Sequence, residues 1–231
     1  MRLTRFGKQK EQPGGQSFVE LALILPLILI MFIGMIEVGF YVFNYLNALD
    51  LTREAARFAS VRDYTIATPG AATTADCEDE ALDYFKDTAC FFIDTDLNPN
   101  VPLDPNRFDD MTVSVFSIIS DTATIDIERW PKPPIDSNSD GVWSLYNDNW
   151  QKDCQGNIVR TEPYFSNADL PALLQQSAPS SKGVVLVEAH ICYDQMIYIP
   201  LLSEFIGSPF RIHTYTFMPA PEAIPTPTPI P

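Results

Sequence analysis

The 231-residue chain carries a formal charge of −15, and the charge is unevenly placed: Arg2, Arg5, Lys8 and Lys10 against Glu11 make the first fifteen residues +3 and leave −18 for the rest. So acidic a body excludes a nucleic-acid surface, which must be basic to meet phosphates. The length leaves room for one sizeable domain beyond an N-terminal anchor.

The chain is organised around the apolar run from Leu21 to Phe43, in which only Glu37 is charged. About 23 helical residues at roughly 1.5 Å each reach about 35 Å, more than a hydrocarbon core of about 30 Å. The run therefore reads as a transmembrane helix. The short flank richer in Lys and Arg stays cytoplasmic, which predicts a single-pass membrane protein whose C-terminal body is extracytoplasmic. A secretory signal peptide also joins a basic head to an apolar run, but its apolar part is only about 7–15 residues long, and no small-x-small cleavage site follows here. Pro26 removes one helix hydrogen bond and crowds the preceding turn, which predicts a bend.

Beyond Phe43 the helical spacing continues to about Arg62. Tyr45, Leu49, Thr52, Ala56 and Ala59 recur at intervals of three and four, predicting a narrow buried stripe. The small side chains of Ala48, Ala55, Ala56 and Ala59 would let this half lie close against a sheet. Asp50 with Arg53 and Glu54 with Arg57 form i,i+3 pairs on a solvated face, worth a few tenths of a kcal/mol.

The stretch GQSFVELALILPLILIMFIGMIEVGFYVFNYLNALDLTREAARFASV, beginning at Gly15, resembles the start of the TadE-like family, pseudopilins of the tight-adherence (Tad) branch of type IV pilus systems. Gly15, Gln16, Glu20, the Leu25-Pro26-Leu27 step, the segment from Gly34 to Gly39 with Glu37, and Ala55-Ala56-Arg57 carry the resemblance. It implies a basic cytoplasmic leader, residues 1–15, removed by a prepilin peptidase after Gly15, so that Gln16 becomes the first mature residue and Glu20 the fifth. It also implies that Glu20 pairs with the freed amine of Gln16, its own or a neighbour's. A carboxylate at the mouth of an apolar helix is costly and normally has a partner; the alternative is that Glu20 sits among lipid headgroups.

The fold expected is α+β and pilin-like: a spine helix over residues 16–62, then an exported domain with an antiparallel sheet over 63–218, then a Pro-rich tail over 219–231. Residues 64–76 read as a loop. Residues 76–90 suggest a short helix with Asp76 at its N-cap and Ala81, Leu82 and Phe85 turned inward. Cys77 and Cys90 flank it, and a bridge between them would close a short loop and leave Cys154 for Cys192. Exported cysteines form disulfides, but spacing does not choose among the three connectivities.

Residues 112–119 and 123–130 alternate at period two and predict an antiparallel hairpin, with Val113, Val115, Ile125 and Ile127 marking the buried faces. Pro131, Pro133 and Pro134 end it. A second strand pair is predicted over 183–194 and 210–218. This stretch also resembles the TadE-like family, loosely, in a Val-rich strand, a Pro-Leu connection and a closing strand.

Between these pairs, Asp136, Asn138, Asp140 and Gly141 match the start of a calcium loop, in which alternate oxygen side chains converge and the carbonyl of Val142 supplies a further ligand. Asn147 stands where the loop would place a bidentate Glu, and such tracts are also plain turns. Asp94, Asp96 and Asn98 share the spacing but have Pro99 in place of Gly. Trp130, Trp143, Tyr146 and Trp150 cluster nearby and are read as packing residues before a carbohydrate platform. His190 and His213 lie on predicted strands without a partner at metal-like spacing. The tail, with six prolines from Pro219 onward, is extended or disordered.

The resemblance implies a membrane-anchored minor pseudopilin that takes part in assembly or function of a Tad-type pilus and in surface attachment; the sequence shows no catalytic constellation, so an anchored extracytoplasmic enzyme is the least expected reading. Its partners would be the membrane, other pilins and pseudopilins, the pilus assembly machinery and the prepilin peptidase. The alternative is an uncleaved bitopic anchor bearing an extracytoplasmic binding module, with calcium at the Asp136 loop as its only expected cofactor.

Overall fold

The computed structural model describes residues 16–94, 103–120, 125–136, 140–173, 182–196 and 209–220. The expected calcium ligand Asn138, the Asp96 and Asn98 positions, the leader with Gly15 and the Pro-rich tail beyond Ala220 lie outside the described residues.

The chain divides into two compact units, residues 1–40 and 41–231. The described part of the first is helical throughout and belongs to α1, Gln16–Ala59, which carries Pro26 in its interior. Its apolar side chains face outward: Phe18, Leu23, Met31 and Met35 are all exposed. A helix that is apolar all round is stable only inside an apolar medium or a large core. Among the described residues this is the one helix long and apolar enough to cross a membrane.

The second unit is an α+β domain, as the alternation of strand and helix patterns predicts. Besides the C-terminal part of α1 it contains α2 (Thr74–Glu78), α3 (Tyr84–Ile93), β1 (Asp110–Ser120), β2 (Ile125–Trp130), the short β3 (Trp143–Ser144), α4 (Leu170–Leu173), β4 (Lys182–Tyr193) and β5 (Phe210–Ala220). The sheet is antiparallel, in the order β2-β1-β4-β5, with β3 on the same edge of β1 as β2. Both expected strand pairs are present, β1 with β2 and β4 with β5.

Alternation gives the sheet two buried faces. Met111, Val113, Val115, Val185, Val187 and Ile212 point to one, where they pack with Ala48, Ala55, Ala56 and Ala59 of α1 and with Phe85, Ala89 and Phe92 of α3. The four alanines are fully buried, so the small-residue stripe does what its size allows and brings the helix backbone close to the sheet. Tyr45, expected in that stripe, is exposed; the buried line runs through Ala48, Thr52, Ala55, Ala56 and Ala59. Asp50, Arg53, Glu54 and Arg57 face solvent and pair as their spacing predicts.

Ile127 faces the other way from Val113 and Val115. The register sets it opposite Ile118, and it packs with Phe116, Leu186, Leu170, Phe165 and Phe217. This second face is covered by residues 149–170, a segment with too little regular structure to announce itself by periodicity.

The single helix expected over 76–90 is two helices. Thr73, not Asp76, caps the first: Asp76 reaches back so that its carboxylate accepts both the backbone N–H and the hydroxyl of Thr73, at 2.6 and 2.7 Å. Asp83 caps α3, accepting the Lys86 N–H at 3.3 Å. The break between them turns Leu82 out to solvent while Phe85 is buried. Cys77 joins Cys90, and Cys154 joins Cys192, tying the covering segment to β4.

Candidate functional site

Two regions carry chemistry. The first is the start of α1. Gln16 opens the helix, and Glu20 lies one turn further on, exposed. Gly34 and Gly39 lie on open helix surface, where a Cβ would meet no other atom within 4 Å. From Phe18 to Phe40 the side chains are apolar or small apart from Glu20 and Glu37.

The second region is a polar patch on the loop-covered face of the sheet. Glu188 and His190 are two apart on β4 and share that face. The β4–β5 register places His213 beside His190. His213 Nε2 lies 2.8 Å from Glu188 Oε1. The two imidazole planes are 6° apart with centroids 4.6 Å from each other. Tyr164 of the covering segment stacks on His213 at 4.1 Å, and the Arg160 guanidinium lies 3.6 Å above the Tyr164 ring.

His190 is fully buried, and among the described residues neither of its ring nitrogens has a hydrogen-bond partner. Burial holds its proton affinity well below the ordinary imidazole range, and His213, Arg211 and Arg160 push in the same direction. It is therefore a neutral ring with a free lone pair. One nitrogen or oxygen from each of Glu188, His190 and His213 lies within 4.8 Å of the others. The expectation that neither histidine has a partner at metal-like spacing in the sequence was too narrow: the signal was present as Glu-x-His on a strand, which strand alternation turns into neighbours on one face.

Around this patch, buried carboxylates and Arg129 hold the neighbouring backbone, part of the covering segment included. Asp110 accepts from the Tyr146 N–H at 3.0 Å, the Trp150 N–H at 2.9 Å and the Ser144 hydroxyl at 2.8 Å, and burial pushes its pKa up to about 6. Asp109 accepts the Cys192 N–H at 2.6 Å. Arg129 on β2 donates to the carbonyls of Gly141 and Phe165 and to the Ser114 hydroxyl, at 3.0, 2.8 and 2.8 Å. Gly141 has φ 74°, and a Cβ there would fall 2.5 Å from Arg129 Cγ, so only glycine fits.

In the expected calcium loop, Asp136 accepts the Gly141 N–H at 2.7 Å and Asp140 the Val142 N–H at 2.8 Å. Burial raises the Asp140 pKa to about 6. Asp136, Val142, Ser144, Asn147 and Asp148 line one cavity of about 250 Å³. Calcium binding here is a proposal. Trp143 and Trp150 are buried, and Phe85 stacks on Trp143, as packing residues should.

The structure leaves the N-terminal helix and the polar patch as separate features, and comparison with known proteins bears on the helix. Residues 15–57 match the family model of the TadE-like protein. The matched residues run from the expected cleavage glycine into the amphipathic half of α1. The sheet domain lies outside the match. No curated protein matches the chain, and no solved structure does.

Proposed function

We propose that the protein is a minor pseudopilin of a Tad-type pilus, anchored by the apolar part of α1 with its N-terminus cytoplasmic and its sheet domain extracytoplasmic. The observation that carries this reading is the coincidence of the TadE-like match with a helix whose lower part exposes apolar side chains on every side. In this reading a prepilin peptidase cuts between Gly15 and Gln16, and Glu20 neutralises the amine of Gln16 or of a neighbouring subunit. Such a pair is favourable because it removes an isolated charge from a low-dielectric medium. We assign the chain no catalytic step; its sheet domain supplies surface to other pilins or pseudopilins and to the assembly machinery.

Deletion and complementation in the native cell test the function. Loss of the chain should abolish Tad pili and surface attachment, and the wild-type gene should restore both. Glu20→Gln should reach the membrane at wild-type level without restoring them. Unchanged piliation and attachment in the deletion strain would overturn the proposal.

A further inference from the structure

The polar patch beneath Tyr164 has no place in that function. A buried imidazole with both nitrogens unpaired is costly, because each polar atom has given up water without a substitute. His190 stands so beside a carboxylate and a second imidazole. We propose that Glu188, His190 and His213 bind one divalent transition-metal ion of the zinc class.

Two imidazole nitrogens and one carboxylate oxygen form a donor set that zinc accepts with a fourth position left over, whereas calcium and magnesium take oxygen ligands. The three donors come from paired strands, so their backbone positions are fixed by sheet register. The rings are stacked with their planes 6° apart, so one ion cannot lie in both ring planes as they stand. Coordination therefore turns His213, the more exposed of the two, toward the shared ion. Its hydrogen bond with Glu188 is exchanged for two bonds to the metal: the proton moves from Nε2 to Nδ1, or leaves to solvent if the ring was protonated.

Tyr164 and Arg160 cover His213 and limit the access of water. Arg160 and Arg211 favour a neutral His190, the form that ligates, but they also repel an added cation. Their charge makes the site bind a cation more weakly than the same donors would without them.

The test uses the full chain in detergent, stripped with chelator and titrated with Co²⁺ and then Zn²⁺. One Co²⁺ per chain should bind, with visible d–d bands that Zn²⁺ removes. Glu188→Gln and His213→Ala each remove a direct ligand and should weaken uptake by at least the roughly 10–100-fold that loss of an outer-shell partner costs, with Asp140→Asn unchanged. Absence of stoichiometric uptake by the wild-type chain, or equal uptake by the variants, overturns the proposal. Because a substitution at a buried site can unfold the domain, X-ray absorption at the zinc edge of the wild-type complex gives an independent reading. Imidazole scattering is expected, and its absence also overturns the proposal.

Discussion

Thr52 of α1 and Thr216 of β5 stand with their hydroxyl oxygens 3.3 Å apart. Thr52 spends its own proton on the Leu49 carbonyl at 2.8 Å, so the Thr216 hydroxyl is the donor between them. This contact fixes the helix against the sheet where alanines keep the two backbones close. Ala56→Leu should force them apart and cost about 1–3 kcal/mol, whereas the solvated Glu54→Ala should stay within about 0.5 kcal/mol. Urea unfolding of the two variants checks the difference.

The two disulfides close loops of different length, with sequence separations of 13 and 38. In the chain-entropy model these are worth about 3 and about 4 kcal/mol. Replacing Cys154 and Cys192 by Ser should therefore destabilise more than replacing Cys77 and Cys90, and should also release the covering segment from β4. Denaturation midpoints give the order, and protease cleavage within residues 149–170 reports the release.

Asp110 gives the domain a pH dependence with a definite sign. Its native pKa, raised by burial to about 6, exceeds the ordinary value of 3.8, so the folded state holds the proton more tightly. This contribution is complete below the unfolded value and is lost as pH rises through the native one, by up to about 3 kcal/mol. Asp110→Asn cannot ionise, and its amide confronts the Trp150 N–H, an unmet donor costing about 1–3 kcal/mol. Wild type should be the more stable, and its advantage should shrink between pH 5 and pH 7.5 in chemical denaturation. A growing advantage would mean that the hydrogen bonds received by the carboxylate outweigh its burial.

If Asp136, Asn138, Asp140 and the Val142 carbonyl close on calcium, the ion at about ten times its Kd adds about 1.4 kcal/mol. Scanning calorimetry should then show Tm higher by about 3–6 °C, an effect absent in Asp140→Asn. An unchanged wild-type Tm removes calcium from this loop.

How far the sequence could be read depended on how local the determining interactions were. The apolar run, the alanine stripe and the two strand pairs each announce themselves by periodicity within one segment, and these were legible. Leu82 was not: its exposure follows from Asp83 starting a new helix, a capping choice that competes with the longer helical pattern. Residues 149–170 have no period, because their place is set by buried carboxylates such as Asp110 and by Arg129. The grouping of His213 with Glu188 and His190 was hidden for a related reason. It depends on the register of β4 and β5, which neither strand's own alternation sets, although Glu188 and His190 alone showed their shared face.

The identity of the first mature residue decides whether the chain is processed as a pilin. Intact-mass analysis of the protein, purified from cells with and without the prepilin peptidase, reads it. Processing at Gly15 predicts a chain beginning at Gln16 when the peptidase is present, and retention of the basic leader when it is absent. A leader retained in both, or a cut beyond Glu37 that removes the apolar helix, would contradict the account.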